Sequence, residues 1–230
     1  MDDKDKNKYI VRYEKRLGQF GYSPAALGWG KEGRQDVRFK ILSELIIARP
    51  QSSVLDVGCG FGDLYRFLRN NLWRGEYAGI DIVPGLLNMA KEIDPHINVF
   101  EGDVTSSDSP PVNIKYDFVV ASGVFNAKLS TTTNEEHIQK ALTNMYGLSK
   151  IAVCVDFMST YVDYQHPEAY HTNPMWAFNI AKGLSRRVTL RHDYMPYEFS
   201  LIIYKEDMVS VKNVFCAFGK ANQKNLCAQT

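Results

Sequence analysis

The chain has 230 residues, of which 45% are apolar and 23% charged, and its formal net charge is +1. Those proportions are ordinary for a soluble globular protein, and the length suits one sizeable α/β core. A charge so near zero gives no global reason to expect a nucleic acid or an acidic membrane as partner, and no apolar run approaches membrane-spanning length.

The first seven residues are charged and read as solvated. No apolar region follows Met1 to Lys6, so no secretion signal is expected and the cytoplasm is the default location. Residues 8–18 carry Tyr9, Ile10, Tyr13 and Leu17 at helical spacing. Gly18, Gly21, Pro24, Gly28 and Gly30 then mark a loop that also holds Trp29. Residues 36–47 read as an amphipathic helix, with Val37, Ile41 and Leu45 beside Leu42 and Ile46, and Pro50 stops it.

The next stretch carries the most information. The apolar run at Val54 ends in Asp56 and Val57, and Gly58, Gly60 and Gly62 then alternate with Cys59 and Phe61 before a helical pattern starts at Asp63. Glycine permits tight turns and lets a ligand lie against the backbone. A helix starting just beyond offers unpaired N–H groups to an anionic group. The dinucleotide pattern G-x-G-x-x-G is broken here, because the third glycine comes one place early and Asp63 stands in its position.

From there strands and helices alternate. Strand 54–57 is followed by helix 63–70, with Leu64, Phe67 and Leu68 inward. Strand 77–82 precedes a helix opening at Pro84 and carrying Leu87, Ala90 and Ile93. Strands 97–100 and 118–121 come next, then helix 134–148 with Asn134 as its expected N-cap, then strand 151–157. Such alternation predicts a parallel sheet with helices on both faces.

Residues 158–186 interrupt the pattern with Tyr161, Tyr164, His166, Tyr170, His171 and Trp176. A partly helical insertion over the sheet is expected there, with a lid over a second substrate as one use. Residues 188–194 and 199–205 read as two strands joined by a short turn. The tail is mostly polar apart from Val214, Phe215 and Phe218. Four cysteines, Cys59, Cys154, Cys216 and Cys227, form no C-x-x-C pair, which argues against a zinc site or a disulfide framework. Cys59 and Cys154 read as reduced, small apolar residues.

The spacing D-x-G-x-G-x-G at Asp56 to Gly62 resembles motif I of the class I S-adenosylmethionine-dependent methyltransferases. The likeness continues through Tyr77-Ala78-Gly79-Ile80-Asp81, Glu101-Gly102-Asp103 and Tyr116 to Ser122. It implies an α/β, Rossmann-like, doubly wound sheet of seven strands in the order 3-2-1-4-5-7-6, the last strand antiparallel. It also implies one domain over 1–230. Its parts would be a helical cover (1–50), the cofactor core (51–157), the insertion or lid (158–186), the final strand pair (187–205) and the tail (206–230).

The resemblance assigns S-adenosylmethionine as cofactor. Gly58 and Gly60 would pass under its methionine and ribose, with Asp56 holding the turn or meeting its amino group. Asp81, at a strand end with Ile82 beside it, can accept two hydrogen bonds from ribose hydroxyls; capping the next helix is the alternative. Asp103, with Val104, would meet the adenine amino group, and Ser122 would lie beneath the methionine end. Arg38, in the N-terminal cover, would pair with the cofactor carboxylate or else be an exposed arginine.

For catalysis the candidates are His192, Asp193 and Tyr194, at the end of a strand expected to run parallel and finish at the cofactor edge. His192 or Asp193 would act as a base, and Tyr194 with Tyr197 would line the pocket; a turn that only shapes the chain is the alternative. The Asn- or Asp-Pro-Pro-aromatic signature of amino-methylating relatives is absent, since Ser122-Gly123-Val124-Phe125-Asn126 stands there. Asp156 alone is too few acids for a metal, so none is expected. The expected function is methyl transfer to O or N of a small molecule. Competing readings are a protein or nucleic-acid methyltransferase, a non-catalytic cofactor-binding partner subunit, and a nicotinamide oxidoreductase.

Overall fold

The computed structural model describes residues 1–28, 34–106 and 114–206. Trp29, Gly30, the apolar tail residues Val214, Phe215 and Phe218, and the thiols Cys216 and Cys227 lie outside the described residues.

Seven strands form one sheet in the order β3-β2-β1-β4-β5-β7-β6, the order that the resemblance implies. They are β1 Val54–Val57, β2 Tyr77–Asp81, β3 Val99–Glu101, β4 Tyr116–Ala121, β5 Ser149–Met158, β6 Val188–Met195 and β7 Glu198–Tyr204. β1 pairs in parallel with both β2 and β4, and β4 with β5. β7 runs antiparallel between β5 and β6, so β6 points the same way as β5. The β6–β7 turn therefore sits at the carboxyl edge, where ligands of open α/β sheets bind.

Both faces of the sheet are covered, which is why its central strands read as unbroken apolar runs rather than alternations. One face packs α5 (Asn134–Leu148) and α6 (Pro174–Leu184) over Leu55, Val119, Val153, Phe157, Phe199 and Leu201. The other packs α2 (Arg34–Ile47), α3 (Asp63–Asn70) and α4 (Pro84–Ile93) over Val54, Phe118, Val120, Cys154 and Ile202. Cys59 and Cys154 are free and buried. The stretch 158–186 supplies α6, whose Ala177 and Ala181 are fully buried core residues. Its remaining loop leaves Tyr161 and Tyr164 exposed.

The chain departs from its sequence reading at two helix starts. The N-terminal segment is not solvated throughout. Helix α1 spans Asp3–Phe20, and Asp5 is fully buried. Its carboxylate accepts from the backbone N–H and hydroxyl of both Ser130 and Thr131. Burial alone would raise its pKa, but these bonds outweigh burial and hold it well below the usual carboxylate range.

The second departure is the cap of α5, which is Thr133 rather than Asn134. Thr133 Oγ1 accepts from Glu136 N at 3.2 Å and donates to the Glu136 carboxylate at 2.8 Å, a reciprocal capping pair. Asn134 instead fastens the preceding loop, donating to Ala127 O at 2.7 Å and accepting from Leu129 N at 3.1 Å. Thr133→Ala should therefore cost about 1 kcal/mol, the usual value of a lost N-cap. Urea unfolding checks this, and an unchanged midpoint would refute the cap.

Candidate active site

A cleft of about 150 Å³ opens at the carboxyl edge, where strand order reverses between β1 and β4. Its floor is the glycine-rich turn. Gly58, Gly60 and Gly62 all have left-handed φ, at 70°, 52° and 77°. A Cβ on Gly58 would stand 2.5 Å from Val124 Cγ2 in addition to that backbone strain. The turn is tied to the neighbouring strand, since the N–H groups of Gly58 and Cys59 both donate to Ile80 O, at 2.7 and 3.0 Å.

Four acids line this cleft, Asp63 at the start of α3 and three at or near strand ends. Asp56 is 4% exposed and accepts from the Tyr77 hydroxyl at 2.7 Å. Burial pushes its carboxyl up to about 7, against the Tyr77 bond and with help from the nearby Asp81 charge. Asp81 clamps two loops: Oδ2 accepts from Gly60 N and Oδ1 from Val83 N, each at 2.9 Å. Burial raises its pKa, and the backbone N–H bonds oppose the rise. Asp103 accepts from the Thr105 N–H and hydroxyl, both at 2.8 Å, and from the Met1 ammonium at 3.0 Å. Burial works against its ionisation, but these bonds prevail and lower its pKa.

Ile82, Val104 and Ser122 also line the cleft. All the cofactor residues inferred from sequence thus meet there except Arg38. That residue is 5% exposed on α2, and its Nε and Nη2 reach both oxygens of Glu198 at the start of β7. The expected pairing with a cofactor carboxylate is corrected to a buried protein–protein ion pair. The amphipathic pattern of α2 put Arg38 on a helix beside the site, but it did not reveal that β7 presents an acid to the same face.

The catalytic candidates are placed differently again. The topology behind them is right, yet none of His192, Asp193 and Tyr194 lines the cleft. The pairing of β6 with β7 is irregular between Arg191 and Met195, which turns these side chains in different directions. The His192 ring lies between Phe199 and Tyr161, each with its centroid 6.1 Å away. Asp193 is exposed and held by Arg191 Nε and Nη2, both at 3.1 Å. Tyr194 is directed to the opposite face, near Asp156, Glu198 and Arg38, and burial leads in raising its pKa.

Other residues take up the space above the turn. Tyr9 and Tyr13 of α1, Gln35 and Phe39 of α2, Phe125, and His137 of α5 line the cleft. α1 bridges its mouth. Asp5 is bound to Ser130 and Thr131, the Tyr9 hydroxyl donates to Lys128 O at 2.6 Å, and Glu14 accepts from Gly85 N at 2.8 Å. Burial, then the Met1 ammonium, pulls His137 down to about 4, so its imidazole is neutral near pH 7. Tyr9 and Tyr13 read from sequence as the apolar side of a helix. His137 carried no motif, although its place in the first turn of α5 puts it at the carboxyl edge.

A doubly wound sheet, a glycine-rich turn at the switch point and an acid at the end of the next strand define an enzyme that binds a nucleoside-containing cofactor. Comparison with known proteins narrows the class. Residues 55–151 match a family model described as a methyltransferase domain. The methyltransferase-like protein Rv1506c of Mycobacterium tuberculosis is 28% identical over 168 residues, 70% of this chain and 98% of that protein. The malonyl-[acyl-carrier protein] O-methyltransferase of Anoxybacillus flavithermus is 27% identical over 100 residues, 39% of this chain and 38% of its own. Among solved structures, magnesium protoporphyrin IX methyltransferase of Synechocystis with bound SAH superposes with a TM-score of 0.61 at 17% identity, covering 88% of this chain and all of that one. Residues 55–151 thus form a methyltransferase domain, in a fold shared with methyltransferases solved with SAH and with SAM bound.

Proposed function

We propose that the chain transfers the methyl group to an oxygen or nitrogen of a small-molecule acceptor. The observation that carries this reading is α1 lying across the cleft, whose lining joins Tyr9 and Tyr13 of α1 with Phe125, His137 and the glycine-rich turn. A narrow aromatic enclosure of this kind fits a compact acceptor and keeps water from the reacting centre. The arginines nearest β6 offer no basic stripe for a nucleic acid. Arg191 is paired with Glu44 and Asp193, and Arg187 with Glu206. The relatives that act on magnesium protoporphyrin IX and on malonyl-[acyl-carrier protein] agree with a small acceptor group.

Bound S-adenosylmethionine supplies an electrophilic methyl group on a sulfur that leaves readily. The protein's contribution is then chiefly alignment and desolvation. We assign Gly58 and Gly60 to the backbone under the cofactor, Asp81 to its ribose hydroxyls, Asp103 with Ile82 and Val104 to its adenine, and Asp56 with Ser122 to its methionine end. The fit is chemical: Asp81 keeps spare lone pairs beyond the two N–H groups it already binds.

Radiolabelled methyl transfer tests the acceptor class, with mixtures of small alcohols, carboxylic acids and amines set against RNA and protein. Label in the small-molecule fraction is the expected result, and label in RNA would overturn the reading.

Asp56 gives a second test. Its raised pKa means the free protein is most stable with this group protonated, below its ordinary value of 3.8, and loses that contribution as pH rises through about 7. A cofactor ammonium beside it would pull the pKa down. Binding of S-adenosylhomocysteine, the demethylated product, near pH 6.5 should therefore release protons. Calorimetry in buffers of different ionisation enthalpy measures this, and no buffer dependence would remove Asp56 from the ammonium site.

A further inference from the structure

Asp156, near the end of β5, is 2% exposed and does not line the cleft. Both its oxygens are used on the segment that follows β4. Oδ2 accepts from Ser122 Oγ and Oδ1 from Gly123 N, each at 2.6 Å. Gly123 has a left-handed φ of 70°, and the next residue, Val124, packs directly over Gly58. One buried carboxylate thus sets the wall of the cleft that faces the glycine-rich turn.

Titratable neighbours face it from three elements: the charged Arg38 on α2 and Glu198 on β7, and the neutral Tyr194 phenol on β6. Burial pushes Asp156 up to about 6, and the Arg38 guanidinium is the first influence opposing that rise. Arg38 therefore favours the ionised form of this acid beneath the wall, and the Glu198 carboxylate works against it.

We propose that Asp156 is a positioning residue for the cofactor, which holds the Ser122–Gly123 turn in the shape that receives the methionine end. The proposal rests on the cofactor assignment and not on the class of acceptor.

Three substitutions grade the effect. Asp156→Ala removes both bonds. Asp156→Thr can restore one. Asp156→Asn can restore both, its carbonyl accepting from Gly123 N and its amide donating to Ser122 Oγ. The readouts are calorimetric affinity for S-adenosylhomocysteine and the melting temperature with and without it. Affinity should fall by roughly tenfold or more in Asp156→Ala and recover to within about threefold of wild type in Asp156→Asn, with Asp156→Thr between. The melting increment given by the product should shrink along the same series, beyond any change in the unliganded melting temperature. If Asp156→Ala does not fold, the comparison of Thr with Asn decides. Equal affinities in those two, or wild-type affinity in folded Asp156→Ala, would overturn the proposal. Failure of the wild-type chain to bind the product would instead refute the cofactor assignment.

Discussion

Arg38→Met should lower the melting temperature by roughly 6–20 °C. Breaking a buried ion pair from one side costs about 3–5 kcal/mol, and each kcal/mol is worth about 2–4 °C in a chain of this size. The cost comes from Glu198, which is 4% exposed and would keep a buried charge without its guanidinium. Removing both charges should recover most of the loss, because a buried pair replaced by apolar side chains is often neutral in stability. Thermal melting of Arg38→Met and of the Arg38→Met/Glu198→Met double variant checks both statements. A single variant as stable as wild type would show that the pair is not the link between α2 and β7. The sequence reading of Arg38 as a cofactor ligand predicts the opposite balance, a large loss of affinity with stability nearly intact.

The second large effect is expected at Asp81. Asp81→Ala should weaken binding of S-adenosylhomocysteine by about 1.5–3 kcal/mol, the range for hydrogen bonds to a charged group. The structure adds a reason to expect the upper part of that range. Asp81 also ties Gly60 to Val83, so its loss frees the glycine-rich turn from the start of α4. Asp81→Asn would not be a mild change. Both oxygens already accept backbone N–H groups, and an amide nitrogen would have to face one of them. Calorimetry on protein shown to be folded by circular dichroism decides; wild-type affinity would place Asp81 outside the cofactor site.

The parts of the fold legible in the sequence are those where local chemistry and tertiary demand agree. β1 and α3 begin and end where the apolar run, the glycines and Asp63 predict. The parallel sheet followed from the alternation, and the strand order from the resemblance carried by Asp56 to Gly62. The acids at the ends of β1 and β2 and after β3 were recognisable because they stand at fixed places relative to strands, and backbone geometry brings such places together at one edge.

What was not legible depends on pairings between residues distant in sequence. Asp5 meets Ser130 and Thr131, and Arg38 meets Glu198, across separations of 125 and more residues. Nothing local to Asp5 distinguishes it from the other charges of the first turn. At the β6 end, the parallel direction was right, but a strand irregularity sets which face each side chain takes, and period-two reasoning cannot locate it. His192, Asp193 and Tyr194 are therefore at the expected edge of the sheet but do not line the cleft. Tyr9, Tyr13 and His137 were overlooked for the converse reason. Each fits an amphipathic helix pattern, and only the packing of α1 and α5 over the carboxyl edge gives them a cleft to face.

This glycine-rich turn and its acids are expected to bind S-adenosylmethionine rather than a nicotinamide dinucleotide. Side-by-side calorimetric titration of the wild-type chain with S-adenosylhomocysteine and with NAD tests it most directly. Saturable binding of S-adenosylhomocysteine and none of NAD is the expected result. Tighter binding of NAD would contradict it.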